Sequence, residues 1–203
     1  PDMQETIEKF NFLDEKAIKE LLTYLPSEDL FFVANTNMDP EKIFDLLEFV
    51  NDDFDRAIEE ISRELEISEE DIKTVFSGEV AFSLNGVRKA SMEMEEDDFR
   101  MESESEMPVI TGAARLQKPM VFKKFLESAV EQKILNKKGD MYQTEGIQGF
   151  TMLVNGNDVI VSNKLDNLEA ISSEGNISEN VTKAEYADIL VQDPVCFFVN
   201  LDQ

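Results

Sequence analysis

The sequence predicts an α+β domain, an antiparallel or mixed sheet with helices packed on one face, and three observations predict it. Apolar residues fall at helical spacing over 14–22, 40–50, 53–65 and 118–130. Short alternating or β-branched runs stand between and after them, at 30–37, 79–84, 109–116, 150–154, 159–163 and 195–201. The strands come as hairpins and strand–helix units, not as the strict βα alternation of a parallel doubly wound sheet. With 203 residues, 42% hydrophobic and 31% charged, the chain is able to bury a core and is not compositionally disordered. It is read as a single α+β module over 1–203, or as a segment of a longer protein.

Taken in order, the first helix (14–22) places Ala17, Ile18, Leu21 and Leu22 on one face, and Pro26 stops it. After the strand 30–37, Asp39-Pro40 opens a helix with proline in its first turn and Ile43, Phe44, Leu46, Leu47 and Val50 on its buried side. A helix from Asp53 aligns Phe54, Ala57, Ile58, Ile61 and Leu65, and Ser68-Glu69-Glu70-Asp71 has the form of a capping box for a short helix ending near Phe76. Val80, Phe82 and Leu84 alternate with Glu79, Ala81 and Ser83 in a half-buried strand that ends in an Asn85-Gly86 turn. Pro108 then leads into the strand 109–116, and Lys118-Pro119 opens a helix carrying Val121, Phe122, Phe125, Leu126 and Val130. The clearest hairpin joins 150–154 to 159–163 through Asn155-Gly156-Asn157-Asp158, and short helices are expected over 164–171 and 182–190. A last apolar strand, 195–201, either closes the sheet or opens a third unit.

The strand–proline–helix unit occurs twice, aligning Phe44 with Phe122 and Leu47-Glu48 with Leu126-Glu127. The candidate units of a degenerate internal repeat are 29–87 and 108–163; chance recurrence in an α+β chain is the alternative.

A formal charge of -25, from 44 Asp and Glu against 19 Lys and Arg, repels nucleic acid and anionic membrane surfaces, and no apolar run is long enough to span a bilayer. The absence of histidine removes the commonest general base and the His-containing triads. The glycines form no phosphate-cradling or dinucleotide-binding pattern, so neither a catalytic nor a cofactor-binding residue is assigned. Cys196, the single cysteine, sits in an apolar run and reads as an inert buried thiol. Two glycosylation triplets, Asn176-Ile177-Ser178 and Asn180-Val181-Thr182, are too common by chance to decide anything. Most of the 15 phenylalanines fall at core positions.

The stretch 91–106 differs in kind. It carries Glu93, Glu95, Glu96, Asp97, Asp98, Glu102, Glu104 and Glu106 among methionines, and reads as a solvated loop or an exposed edge hairpin. Hard cations take several oxygen ligands, so Glu95, Glu96, Asp97 and Asp98 are the candidate metal ligands, with calcium the candidate ion. Their spacing lacks the alternating Asp pattern of a calcium loop, and a solvated acidic face is the favoured reading of them. The same stretch also suits docking to a basic partner, because methionine adapts to irregular surfaces and carboxylates steer association.

At Leu25-Pro26-Ser27-Glu28-Asp29-Leu30, Asp39-Pro40-Glu41-Lys42-Ile43, Phe76-Ser77-Gly78-Glu79-Val80 and Lys118-Pro119, the chain resembles a family of uncharacterised, roughly double-length Bacteroides-type cell-envelope lipoproteins carrying a domain of unknown function. The resemblance implies a place in the bacterial cell envelope, as a periplasmic or outer-membrane lipoprotein, with an export signal and lipidated cysteine upstream of Pro1. It carries over no catalytic residue. The expected function is a non-enzymatic cell-envelope interaction or binding module with a protein or glycan partner. The alternative is a carboxylate-based domain that binds a divalent metal or hydrolyses a substrate.

Overall fold

The computed structural model describes residues 16–50, 54–96, 99–144 and 149–201. The strands are β1 (Leu30–Asn37), β2 (Phe76–Glu96), β3 (Phe99–Leu116), β4 (Leu135–Lys138), β5 (Met141–Thr144), β6 (Thr151–Asn155), β7 (Asp158–Ser162) and β8 (Val195–Val199). The helices are α1 (Pro40–Val50), α2 (Phe54–Leu65), α3 (Glu69–Lys73), α4 (Pro119–Glu131) and α5 (Leu165–Glu174), with 3-10 turns at Glu20–Tyr24, Val181–Lys183 and Ile189–Val191. All eight strands join one open antiparallel sheet in the order β4-β5-β6-β7-β3-β2-β1-β8, which is the α+β class read from the sequence.

Local chemistry starts and stops the helices as expected. Asp39 Oδ1 accepts from the Glu41 and Lys42 amides ahead of Pro40, and Ser68 Oγ accepts from the Asp71 amide at 3.1 Å. Gly175, at φ 82°, ends α5 in the left-handed conformation that costs a residue without Cβ nothing.

The period-two pleat sorts each strand onto two faces. On one, Val33, Ala81, Ala113, Ile160 and Leu153 meet Leu21, Leu22, Leu25, Leu168, Ile171, Val181 and Leu190 from the 3-10 turns and α5. On the other, Leu116, Val159 and Tyr142 meet Phe122 and Leu126 of α4, and α4 in turn packs through Val121 and Phe125 on Ile58, Ile67 and Ile72. Helical cover therefore comes from both sides, where the sequence reading places it on one. The reason is visible in β6 and β7: Met152, Val154 and Val159 are apolar on one face, and Leu153 and Ile160 on the other.

Other elements differ in detail. Asn85-Gly86 is not a turn: the ladder shifts register between Asn85 and Val87, the Gly86 amide donates to Asp29 O at 2.9 Å, and the strand runs on. Beyond Val87 and Pro108, β2 and β3 pair only with each other, forming the hairpin that was one of two expectations for this stretch. The helix expected over 182–190 is a string of three-residue turns, with Val181, Ala187 and Leu190 buried at spacings of six and three and i→i+3 bonds at Ala184, Ala187 and Leu190. The first helix is the 3-10 turn Glu20–Tyr24; Asp14 at its expected start, and Asp53 at the expected start of α2, lie outside the described residues. The hairpin β4–β5 has no counterpart in the sequence reading. Cys196 is a buried free thiol that donates to Asp193 O and accepts from the Asp193 amide.

Candidate functional site

The residues nominated for metal binding lie at the outer end of the β2–β3 hairpin or outside the described residues. Glu95 and Glu96 end β2, opposite Arg100 and Phe99 on β3, while Asp97 and Asp98 lie outside the described residues. No three of the described Asp, Glu or Cys side chains form a group able to hold a metal ion. Of the two glycosylation triplets, Asn180 is buried and its amide donates to Ile177 O at 2.6 Å, which leaves that nitrogen engaged.

The main ionisable cluster lies at one end of the sheet. Arg115 Nε stands 3.1 Å from Asp158 Oδ1 and 3.3 Å from Glu79 Oε2, and Tyr24 Oη donates to Asp158 Oδ2 at 2.9 Å. Burial, then the hydrogen bond to Asp158, pushes the Tyr24 phenol up to about 12. Burial also raises the Glu79 carboxyl, outweighing the attraction of Arg115. These groups direct their hydrogen bonds at one another and fasten the Glu20–Tyr24 turn onto the sheet, which is a structural role.

At the opposite end, Pro26, Glu28, Asn85, Lys164, Asn167 and Glu179 line a cleft of about 250 Å³. Its buried amide, Asn85, is already engaged: it donates to Pro26 O and Glu28 O and accepts from Ser83 Oγ. Asp29 beside it holds φ 49°, a left-handed conformation that the turn into β1 imposes. Ligand pockets start at about 300 Å³, so this cleft is small for an organic ligand.

The third feature is the open edge of the sheet. The Asn200 amide donates to Phe31 O at 2.9 Å and the Asn37 amide to Pro194 O at 2.7 Å, which fixes the phase of the β1–β8 ladder. Hydrogen-bonded rungs alternate in antiparallel pairs, so Cys196 and Phe198 turn their main-chain groups toward β1. Val195, Phe197 and Val199 turn theirs outward, and among the described residues no strand takes them.

The same three residues carry exposed apolar side chains: Phe197 is 65% exposed, Val195 43% and Val199 37%. Their face continues across β1 and β2, where the Phe32 ring lies 6.5 Å from Phe197 and 5.4 Å from Phe82, itself 37% exposed. Gly112 stands opposite Phe82 and adds no side chain to cover it. None of the three core clusters includes Phe32, Phe82 or Phe197. The expectation that nearly all phenylalanines pack in the core thus fails here, because the residues that alternate with Val33 and Cys196 face away from the covered side. Among the described residues, an unpaired strand edge thus lies beside an uncovered aromatic face.

No family model, no curated protein and no solved structure matches this chain.

Proposed function

We propose that the chain is a non-enzymatic interaction module of the bacterial cell envelope that takes an extended segment of a partner protein as an added strand beside β8. One observation carries the reading: Val195, Phe197 and Val199 present outward main-chain groups and exposed apolar side chains together. In strand addition the main-chain bonds supply affinity and alternate side chains supply selectivity. A row of alternating donors and acceptors favours polypeptide over glycan. The envelope setting rests on the resemblance carried by 25–30, 39–43 and 76–80.

The test is Val199→Pro. Proline at this position deletes an outward amide while sparing the inward rungs of Cys196 and Phe198, and edge strands tolerate it. Anisotropy titration of a labelled synthetic peptide of alternating valine and threonine should show saturable binding to the parent and none to the variant, with urea midpoints alike. Equal binding by both proteins refutes strand addition. The carboxylate alternative is read by thermal shift with calcium: a saturable rise abolished by neutralising Glu95, Glu96, Asp97 and Asp98 would place a metal site on the hairpin.

A further inference from the structure

We infer that the segment taken beside β8 is basic, with apolar and cationic residues in alternation; this rests on the strand-addition reading above. An added strand has two faces. Side chains on one lie along Val195, Phe197 and Val199 and so must be apolar. Those on the other continue the row of Cys196 and Phe198, on the side where Tyr186 stacks on Phe198 with ring centroids 4.0 Å apart.

The segment that places Tyr186 there also carries Glu185 and Asp188, both exposed, and Asp193 stands exposed directly before β8. Among the described residues, an ion pair brings one cation to this trio: Lys19, 3.4 Å from Asp188. At the far end of the edge, Glu28 and Asp29 precede β1 beside the Phe31–Asn200 rung.

The Tyr186 side and the two ends of the docking edge therefore carry exposed carboxylates, on a chain of net charge -25. A second copy of this chain, joined edge to edge, would set that charge against itself, whereas a strand with cationic residues on its Tyr186 side meets complementary potential there.

The experiment compares three synthetic peptides on the intact chain: valine alternating with lysine, valine alternating with threonine, and the first composition with its valines and lysines in separate blocks. At about 0.05 M salt the valine–lysine peptide should bind on the order of tenfold tighter than valine–threonine, and the advantage should shrink at about 0.5 M as screening shortens. The double variant Glu185→Gln with Asp188→Asn should remove much of the advantage while leaving valine–threonine binding unchanged. Equal binding of the two alternating peptides at low salt overturns the inference, as does block-peptide binding as tight as that of the alternating one, which would mean bulk attraction only.

The two readings fail separately. Binding of valine–threonine that Val199→Pro abolishes, without a gain from lysine, sinks the basic partner and leaves strand addition standing. Binding of no alternating peptide sinks strand addition itself. A dimer in sedimentation that Val199→Pro dissociates assigns the edge to a second copy and overturns the basic partner.

Discussion

Phe197→Ala separates the stability of the fold from its capacity to bind. The ring is 65% exposed, and an aromatic side chain presents about 200 Å², so about 130 Å² is open to a partner. At about 25 cal/mol per Å², full cover of that area contributes about 3 kcal/mol to a complex. A single added strand covers about half of it, which gives about 1.5 kcal/mol, or roughly tenfold in Kd. The cost to folding is small, because the ring is mostly exposed and belongs to no core cluster, so a loss under about 1 kcal/mol is expected. The comparison is Phe198→Ala, one residue along the strand. Its ring stacks on Tyr186 and packs against the main core, and its truncation should cost about 3 kcal/mol. Urea unfolding measures the folding term, and anisotropy of the valine–lysine peptide measures the binding term. If Phe197→Ala destabilises as much as Phe198→Ala, or leaves peptide affinity intact, the open face is not the docking surface.

Three further outcomes follow from the geometry. Tyr24→Phe removes the 2.9 Å bond to a buried carboxylate and should cost about 1.5 to 3 kcal/mol. Because the folded phenol lies near 12 and the free one near 10, stability should be full below about pH 10 and fall as pH rises toward 12; the variant should lose that slope, and an unchanged alkaline unfolding curve counts against the contact. Glu79→Gln should be no less stable than the parent at pH 7: a carboxyl raised by burial favours folding while protonated and loses that contribution as pH rises through its folded value. A fall beyond about 1 kcal/mol in urea would show that the Arg115 pair outweighs burial. Gly78→Ala should cost at least about 2 kcal/mol, because Gly78 holds φ 95° and a Cβ would sit 1.6 Å from Met38 O; parent-like melting would refute this.

Most of the fold was legible because its signals are local. Asp39-Pro40, Ser68 with Asp71, Lys118-Pro119 and the Asn155-Gly156 turn mark their elements without tertiary help, and each element lies where its signal puts it. What failed depends on contacts distant in sequence. Asn85-Gly86 has turn chemistry, yet the Asp29 carbonyl takes the Gly86 amide and holds the chain extended. Gly139-Asp140 makes a tight hairpin between β4 and β5, but those strands offer only Leu135, Met141 and Tyr142 as apolar signal. The sheet's two-sided cover was written in the continuous apolar runs of β6 and β7, which lack the polar alternation of a strand with one wet face.

The open edge was present in the sequence but not separable from core. The run from Val195 to Val199 is apolar at every position, so periodicity says nothing about which residues face in. Two facts decide it, and neither is local: β8 lies at the end of the sheet order, and the 3-10 turns cover the Cys196 and Phe198 side alone. The acidic hairpin drew attention as a metal site because its carboxylates are dense in sequence. Dense carboxylates repel one another unless a cation lies between them. A calcium ion would answer that repulsion only where oxygens converge, whereas the lysines of an extended partner answer it along a line. The exposed carboxylates about β8 are strung out in that second way, from Asp193 and Asp188 at one end to Glu28 and Asp29 at the other, and this spread is what supports the proposed basic strand.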